Sequence, residues 1–242
     1  MIGMMTEKED WMVKSNVWTP QMEAKLQAWH KLQQVADQSK PAPCFTLSRE
    51  FGCQAYPFAE ALQKRLNTRT AGEPWVIVGR QVIDEVAELS GFSVDQIEKS
   101  ENTPASMKAI FTMFLDHISA EETEIFTHMR QVIRGFAKRG NCILVGRGAS
   151  HVTQDLPNCI HLRLVAPGEF KVANISSKYQ MSAAEARDHI DRLQGQREKF
   201  IERFVNEKPD NPSLYHLVMN NARMDVEGLA ALAEDYMVRL RS

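Results

Sequence analysis

A strand, loop and helix pattern between Pro43 and Leu62 constrains the fold of this chain more than any other part of its sequence. The stretch reads PCFTLSREFGCQAYPFAEAL, and its first residues form an apolar, β-prone run typical of a strand buried on both faces. The residues around Gly52 have no regular periodicity, whereas Phe58, Leu62 and the residues after them recur at helical spacing. Such a junction turns backbone N–H groups toward one point beside the positive end of a helix, so it predicts an anion site.

A second stretch, Cys142-Ile-Leu-Val-Gly-Arg-Gly-Ala, places an arginine directly after another buried-strand pattern. In open α/β sheets, ligands bind at the carboxyl ends of the strands. A planar guanidinium forks onto phosphate oxygens better than an ammonium does. We therefore interpret Gly146 and Arg147 as phosphate-binding residues, the alternative being an arginine that ties a loop to a carboxylate.

These two stretches, CFTLSREFG and CILVGRGA, resemble the cytidylate kinase-like branch of the P-loop nucleoside monophosphate kinases. The resemblance extends over roughly residues 43–240. It implies a three-layer α/β/α P-loop kinase-like fold with a five-stranded parallel sheet in the order 2-3-1-4-5. The fivefold alternation of strand and helix patterns independently favours a parallel sheet with helices on both faces.

The resemblance also divides the chain. We expect an N-terminal helical extension and linker at residues 1–42 and the kinase-like domain at residues 43–242, with an acceptor-binding subregion at about 81–120 and a lid at about 190–205. In the extension, apolar residues at helical spacing around Trp29 indicate one amphipathic helix. Its apolar stripe must be buried, either on its own domain or in a homodimer interface, and the sequence leaves both alternatives open.

The function implied by the resemblance is transfer of the γ-phosphoryl group of ATP, assisted by Mg²⁺, to a nucleoside monophosphate, with CMP or dCMP as the default acceptor. The sequence leaves two other functions open. One is a non-catalytic nucleotide- or anion-binding protein that keeps the kinase fold for regulation or assembly. The other is a kinase for a different small phosphoacceptor.

These alternatives arise because the loop departs from the P-loop pattern G-x-x-x-x-G-K-[ST] at each signature position. Arg49 and Gln54 occupy the positions of the two glycines in this pattern. Ala55 occupies the position of the lysine, and Tyr56 that of the serine or threonine. Gly52 does match the inner glycine of the cytidylate kinases. Arg49 could supply the positive charge that the missing lysine provides elsewhere in the family.

Two strand ends depart from the family as well. Gly79 replaces the aspartate of an Asp-Arg pair, which leaves Arg80, and Val145 stands where an aspartate precedes Gly-Arg. The cations of the acceptor site are thus retained, whereas both carboxylates are absent.

The lid carries a further cation. Arg197 lies on the apolar stripe of a predicted helix, four residues after Leu193 and three before Phe200, so it must meet an anion or reach past the core. The predicted catalytic residues are Arg49, Arg147 and Arg197. The predicted ATP-binding residues are Ser48, Arg49, Gly52, Cys53, Gln54, Ala55 and Tyr56. The predicted substrate-binding residues are Arg80, Gly146, Arg147 and Arg192.

Composition sets the remaining expectations. With 29 Lys and Arg against 31 Asp and Glu, the net charge is −2, which argues against nucleic acid or an anionic membrane as partner and favours a phosphate-bearing small molecule. No apolar run approaches the roughly 18 residues of a membrane span, and the first ten residues are too polar for a signal peptide, so we expect a cytoplasmic protein. The four cysteines lack C-x-x-C spacing and are predicted to be free thiols, and the histidines show no metal-ligand spacing.

Overall fold

The computed structural model describes residues 41–69, 72–80, 83, 125–205 and 208–241, and the structural statements below concern these residues. The predicted N-terminal helix lies outside them. So does almost all of the predicted acceptor-binding subregion at 81–120.

Five parallel strands form the centre of the molecule, in the order β2-β3-β1-β4-β5. The strands are β1 (Cys44–Arg49), β2 (Val76–Val78), β3 (Cys142–Val145), β4 (Cys159–Val165) and β5 (Leu217–Asn220). The helices are α1 (Ala55–Arg69), α2 (Ile125–Arg139), α3 (Ala149–Val152), α4 (Gly168–Tyr179), α5 (Ala183–Val205) and α6 (Val226–Arg241), with a short 3₁₀ helix at Pro212–Leu214. The predicted P-loop kinase-like architecture and strand order are confirmed.

Side chains that alternate along the strands divide the core into two layers. On one face, Phe45 and Leu47 pack with α1 and α6. On the other face, Cys44 packs with Ile133 and Phe136 of α2. Because β1 is covered on both faces, its sequence is a continuous apolar run, which is the pattern from which the strand was predicted. All four cysteines are free thiols, as expected.

A buried carboxylate joins the first and last helices. Glu234 of α6 is 1% exposed and forms ion pairs at 2.7 Å with Arg65 and with Arg69 of α1. The two arginine side chains are 39% and 59% exposed, so only the carboxylate has lost its contact with water.

Alanine at both Arg65 and Arg69 is expected to lower the free energy of unfolding by about 3–5 kcal/mol, because it leaves a buried carboxylate without a cation. Glu234→Gln is expected to cost less, because the two arginines can turn to solvent. Urea denaturation at pH 7 measures both effects. Equal losses in the two variants would contradict this account.

A row of polar side chains crosses the sheet between β1 and β4. Oγ1 of Thr46 lies 2.8 Å from Nδ1 of His161 and 2.9 Å from Oγ of Ser150. The backbone N–H of His161 donates to Nδ1 of His216 at 3.0 Å. Burial of the His161 ring, which is 2% exposed, lowers its pKa to about 4, and the neighbouring histidines His216 and His151 add to this effect.

The free energy of unfolding is expected to fall as the pH drops from about 6.5 to about 4, because the unfolded histidine takes up a proton in this range and the folded one does not. The pKa difference corresponds to a loss of about 3 kcal/mol. Urea denaturation across this range should show a shallower pH dependence for His161→Gln than for the original protein. Identical pH profiles would refute the assignment.

Candidate anion-binding site

Four arginines gather at the carboxyl edge of the sheet. Arg49 ends β1, Arg80 and Arg147 each follow two residues after β2 and β3, and Arg197 lies on α5. Burial lowers the pKa of Arg49, and repulsion from Arg147 and Arg80 lowers it further. Burial likewise lowers the pKa of Arg197 to about 9, with contributions from Arg49 and Arg80. The four side chains therefore form one group of interacting like charges, the arginine cluster.

No carboxylate of the described residues is among the groups that shift the pKa values of Arg49 and Arg197. Glu50 follows Arg49 directly but does not neutralise it. Its carboxylate instead accepts hydrogen bonds from Nζ of Lys171 at 2.8 Å and from the N–H of Ala166 at 3.3 Å. Arg49 and Arg197 are half-buried and repelled by like charges, so an anion bound between them would stabilise both.

The glycine of the Gly-Arg motif makes room for the cluster. A Cβ atom on Gly146 would overlap Nη1 of Arg49, and Gly146 has a φ of +83°. Arg147 itself has a φ of +52°, and its guanidinium lies 4.5 Å from the centre of the Phe200 ring. The motif thus lets two guanidiniums approach each other at the end of β3.

The predicted lid at about 190–205 lies within α5, which is one continuous helix of 23 residues. Its contact with the loop is made by Phe51. The Arg197 guanidinium lies 4.7 Å from the centre of the Phe51 ring, and Oε1 of Gln194 accepts a hydrogen bond from the Phe51 N–H at 2.8 Å. Phe51 also packs in a small apolar cluster with Val172, Ile175, Ala186 and Ile190 of α4 and α5.

The loop between β1 and α1 directs many of its backbone N–H groups to acceptors within the protein. The N–H of Glu50 donates to Leu164 O, and that of Gln54 donates to Oδ1 of Asn221 at 2.7 Å. N–H groups with a protein acceptor are those of Glu50, Phe51, Cys53, Gln54 and Ala55. In this structure the positive charge of the site therefore lies on arginine side chains rather than on these N–H groups.

Tyr56, at the position of the P-loop hydroxyl residue, lies over the end of β2. It is 46% exposed, and a Cβ atom on Gly79 would overlap its hydroxyl oxygen. The phenol is also close enough to Arg49 and Arg197 to influence both pKa values. The two departures from the family at Tyr56 and Gly79 are thus neighbours in space, and a side chain at position 79 would require the half-exposed phenol to move.

Three other predicted site residues lie outside the arginine cluster. The Ser48 hydroxyl faces away from Arg49 and accepts a hydrogen bond from Nη1 of Arg163 at 3.0 Å. Burial raises the pKa of Cys53 to about 11, so its thiol is not activated. Arg192 is exposed, and its Nη2 lies 3.1 Å from Nδ1 of His189.

Sequence reasoning missed Asn221, Gln194 and Arg163. Asn221 directly follows β5, and its place at the carboxyl edge of the sheet is the one signal that could have identified it.

The residues present do not fit ATP with Mg²⁺ in the manner of a P-loop. Ala55 provides no ammonium group, Pro57 has no N–H group, and the N–H of Gln54 already has an acceptor. Within the described part of the chain, no carboxylate is among the groups that shift the pKa values of Arg49 and Arg197. These groups therefore provide no ligand for the metal ion.

Comparisons with known proteins agree with this architecture. One solved structure, described only as an uncharacterized protein from Eubacterium ventriosum ATCC 27560, has a TM-score of 0.61 at 18% sequence identity. The match covers 81% of this chain and 98% of that one, and at this identity it supports the fold alone. The search of curated proteins finds no match. Within the described residues, every helix is too short or too polar to cross a bilayer.

The model of the cytidylate kinase-like family matches residues 44–223, which include all five strands and all four members of the arginine cluster. The matched range is well over half of the 242 residues. The chain therefore belongs to the cytidylate kinase-like family.

Proposed function

We propose that this protein binds a nucleoside monophosphate, and that the arginine cluster holds the phosphate group. The proposal rests on the convergence of four guanidiniums at the carboxyl edge of the sheet. Among the described residues, no carboxylate contributes to the pKa shifts of Arg49 and Arg197. A phosphate dianion would relieve their mutual repulsion and accept forked hydrogen bonds from them. Family membership supports a nucleotide as the carrier of that phosphate.

Phosphoryl transfer from ATP is the second candidate function. One observation favours it. The arginines come from the ends of β1, β2 and β3 and from the lid, so they approach one point from several sides, as the charge stabilisation of a transferring phosphoryl group requires. The poor fit of the loop to ATP and Mg²⁺ places this function second.

The test is isothermal titration calorimetry with CMP, dCMP, UMP, AMP and GMP, combined with a coupled kinase assay on the same panel with ATP and Mg²⁺. Binding of at least one monophosphate, with competition by inorganic phosphate, is the expected result. Arg187→Ala is the matched control, since Arg187 is an exposed arginine near the start of α5 and outside the cluster. Absence of binding across the panel would overturn the proposal.

A further inference from the structure

Two carboxamide side chains from distant parts of the chain hold backbone N–H groups of the loop. Oδ1 of Asn221 accepts from the N–H of Gln54 at 2.7 Å, and Oε1 of Gln194 accepts from the N–H of Phe51 at 2.8 Å. Asn221 is only 3% exposed, and its own N–H donates to Val165 O at 2.9 Å. Its side-chain N–H₂ group also lies 3.4 Å from Oε1 of Gln54.

These two carboxamide oxygens occupy the positions at which an anion would accept hydrogen bonds from a loop that precedes a helix. The first N–H groups of a helix have no partner within the helix, and the residue before α1 is Gln54. Here an amide oxygen of the protein satisfies that N–H. A ligand oxygen could take its place only if the buried Asn221 side chain lost its partner, which carries a free-energy cost.

Two further positions at the beginning of α1 have no free N–H group for a ligand. The N–H of Ala55 donates to Cys53 O at 3.0 Å, and Pro57 has no N–H to donate. The Tyr56 phenol covers Gly79 at the neighbouring strand end. A chain of phosphates lying along the loop would therefore gain none of these N–H contacts.

We infer that the site takes a phosphomonoester, whose single phosphate is held by arginine side chains, and that Asn221 and Gln194 act as internal ligands that close the loop to nucleoside triphosphates. This inference rests on the proposed function, because it names the class of nucleotide that the arginine cluster selects. It predicts that the two additional phosphates of a nucleoside triphosphate add little to the binding affinity of the original protein.

The experiment compares CMP with CTP by isothermal titration calorimetry, with and without Mg²⁺, since the two nucleotides differ only in their phosphates. CTP is expected to bind within tenfold of CMP. Gln194→Ala and Asn221→Ala are each expected to increase the affinity for CTP at least tenfold, the effect of one hydrogen bond to a charged group, and to leave CMP within about threefold. Gln196→Ala, an exposed glutamine two residues further along α5, is the control.

Circular dichroism establishes whether each variant is folded, and Gln194→Ala, at a half-buried helix position, carries the test if Asn221→Ala unfolds. CTP binding more than 100-fold tighter than CMP, or carboxamide variants with unchanged affinity for CTP, would overturn the inference while leaving phosphate binding intact. Absence of binding by both nucleotides would refute the proposed function and this inference together.

Discussion

Alanine at Arg147 is expected to weaken CMP binding by roughly 1.5–3 kcal/mol, or about 10- to 150-fold, because it removes a charged hydrogen-bond donor from the phosphate. Arg197→Gln is expected to weaken binding to a similar extent. The second change should also stabilise the unliganded protein by about 1 kcal/mol, since it removes one of several half-buried like charges partly screened by water. Calorimetry measures the affinity, and urea denaturation without ligand measures the stability.

A control variant at Arg192 tests whether the loss of CMP affinity is specific to the arginine cluster. Arg192, five residues before Arg197 on the same helix, is exposed and lies against His189, so Arg192→Ala should leave CMP affinity within about twofold, as expected for a surface charge. If Arg147→Ala and Arg197→Gln both bind CMP as the original protein does, the arginine cluster is not the phosphate site.

Phosphoryl transfer from ATP to CMP is expected to be at least 10²–10³-fold slower than in an enzyme with an intact P-loop, because losing one preorganised charge contact costs about 3–4 kcal/mol in the transition state. Both the lysine and the hydroxyl residue are missing here, and Arg49 leaves the loop at a different point from the lysine. A coupled assay with ATP, Mg²⁺ and CMP measures the rate.

Hydrolysis of ATP without CMP is the background to subtract in that assay. Turnover near 10 s⁻¹, a typical enzyme rate, would contradict the slow-transfer prediction. Such a rate would also mean that the loop opens readily, because the N–H of Gln54 would have to exchange Asn221 for a donor phosphate.

The fold could be predicted because its signals are local. The apolar run at Cys44–Leu47 and the run that begins at Cys142 are short and continuous, and each leads into a loop that contains glycine, so each indicates a buried parallel strand without reference to the rest of the chain. The order of the strands required the family resemblance, because nothing within a strand records which neighbour it pairs with.

The arginine cluster was predictable for a related reason. Arg49, Arg80 and Arg147 each stand at the end of a strand, and parallel strands bring their carboxyl ends to one edge. The closure of the loop was not predictable, since Asn221 and Gln194 lie 167 and 143 residues from the N–H groups that they hold. No periodicity or motif connects residues so far apart in sequence.

The link between Tyr56 and Gly79 illustrates the same limit. Read separately, each residue is one more departure from the family. Only the structure reveals that the two residues meet, since a Cβ atom at position 79 would overlap the phenol oxygen. Gly79→Asp should therefore require the Tyr56 side chain to turn away from the end of β2.

The continuity of α5 has a kinetic consequence. Gln194, Arg197 and Phe200 project from one uninterrupted helix, and they contact the Phe51 N–H, the Phe51 ring and the Arg147 guanidinium respectively. Any outward movement of this helix would break the hydrogen bond to the Phe51 N–H and withdraw the Arg197 guanidinium in the same step. Opening of the loop would then be coupled to loss of part of the positive charge that attracts an anion.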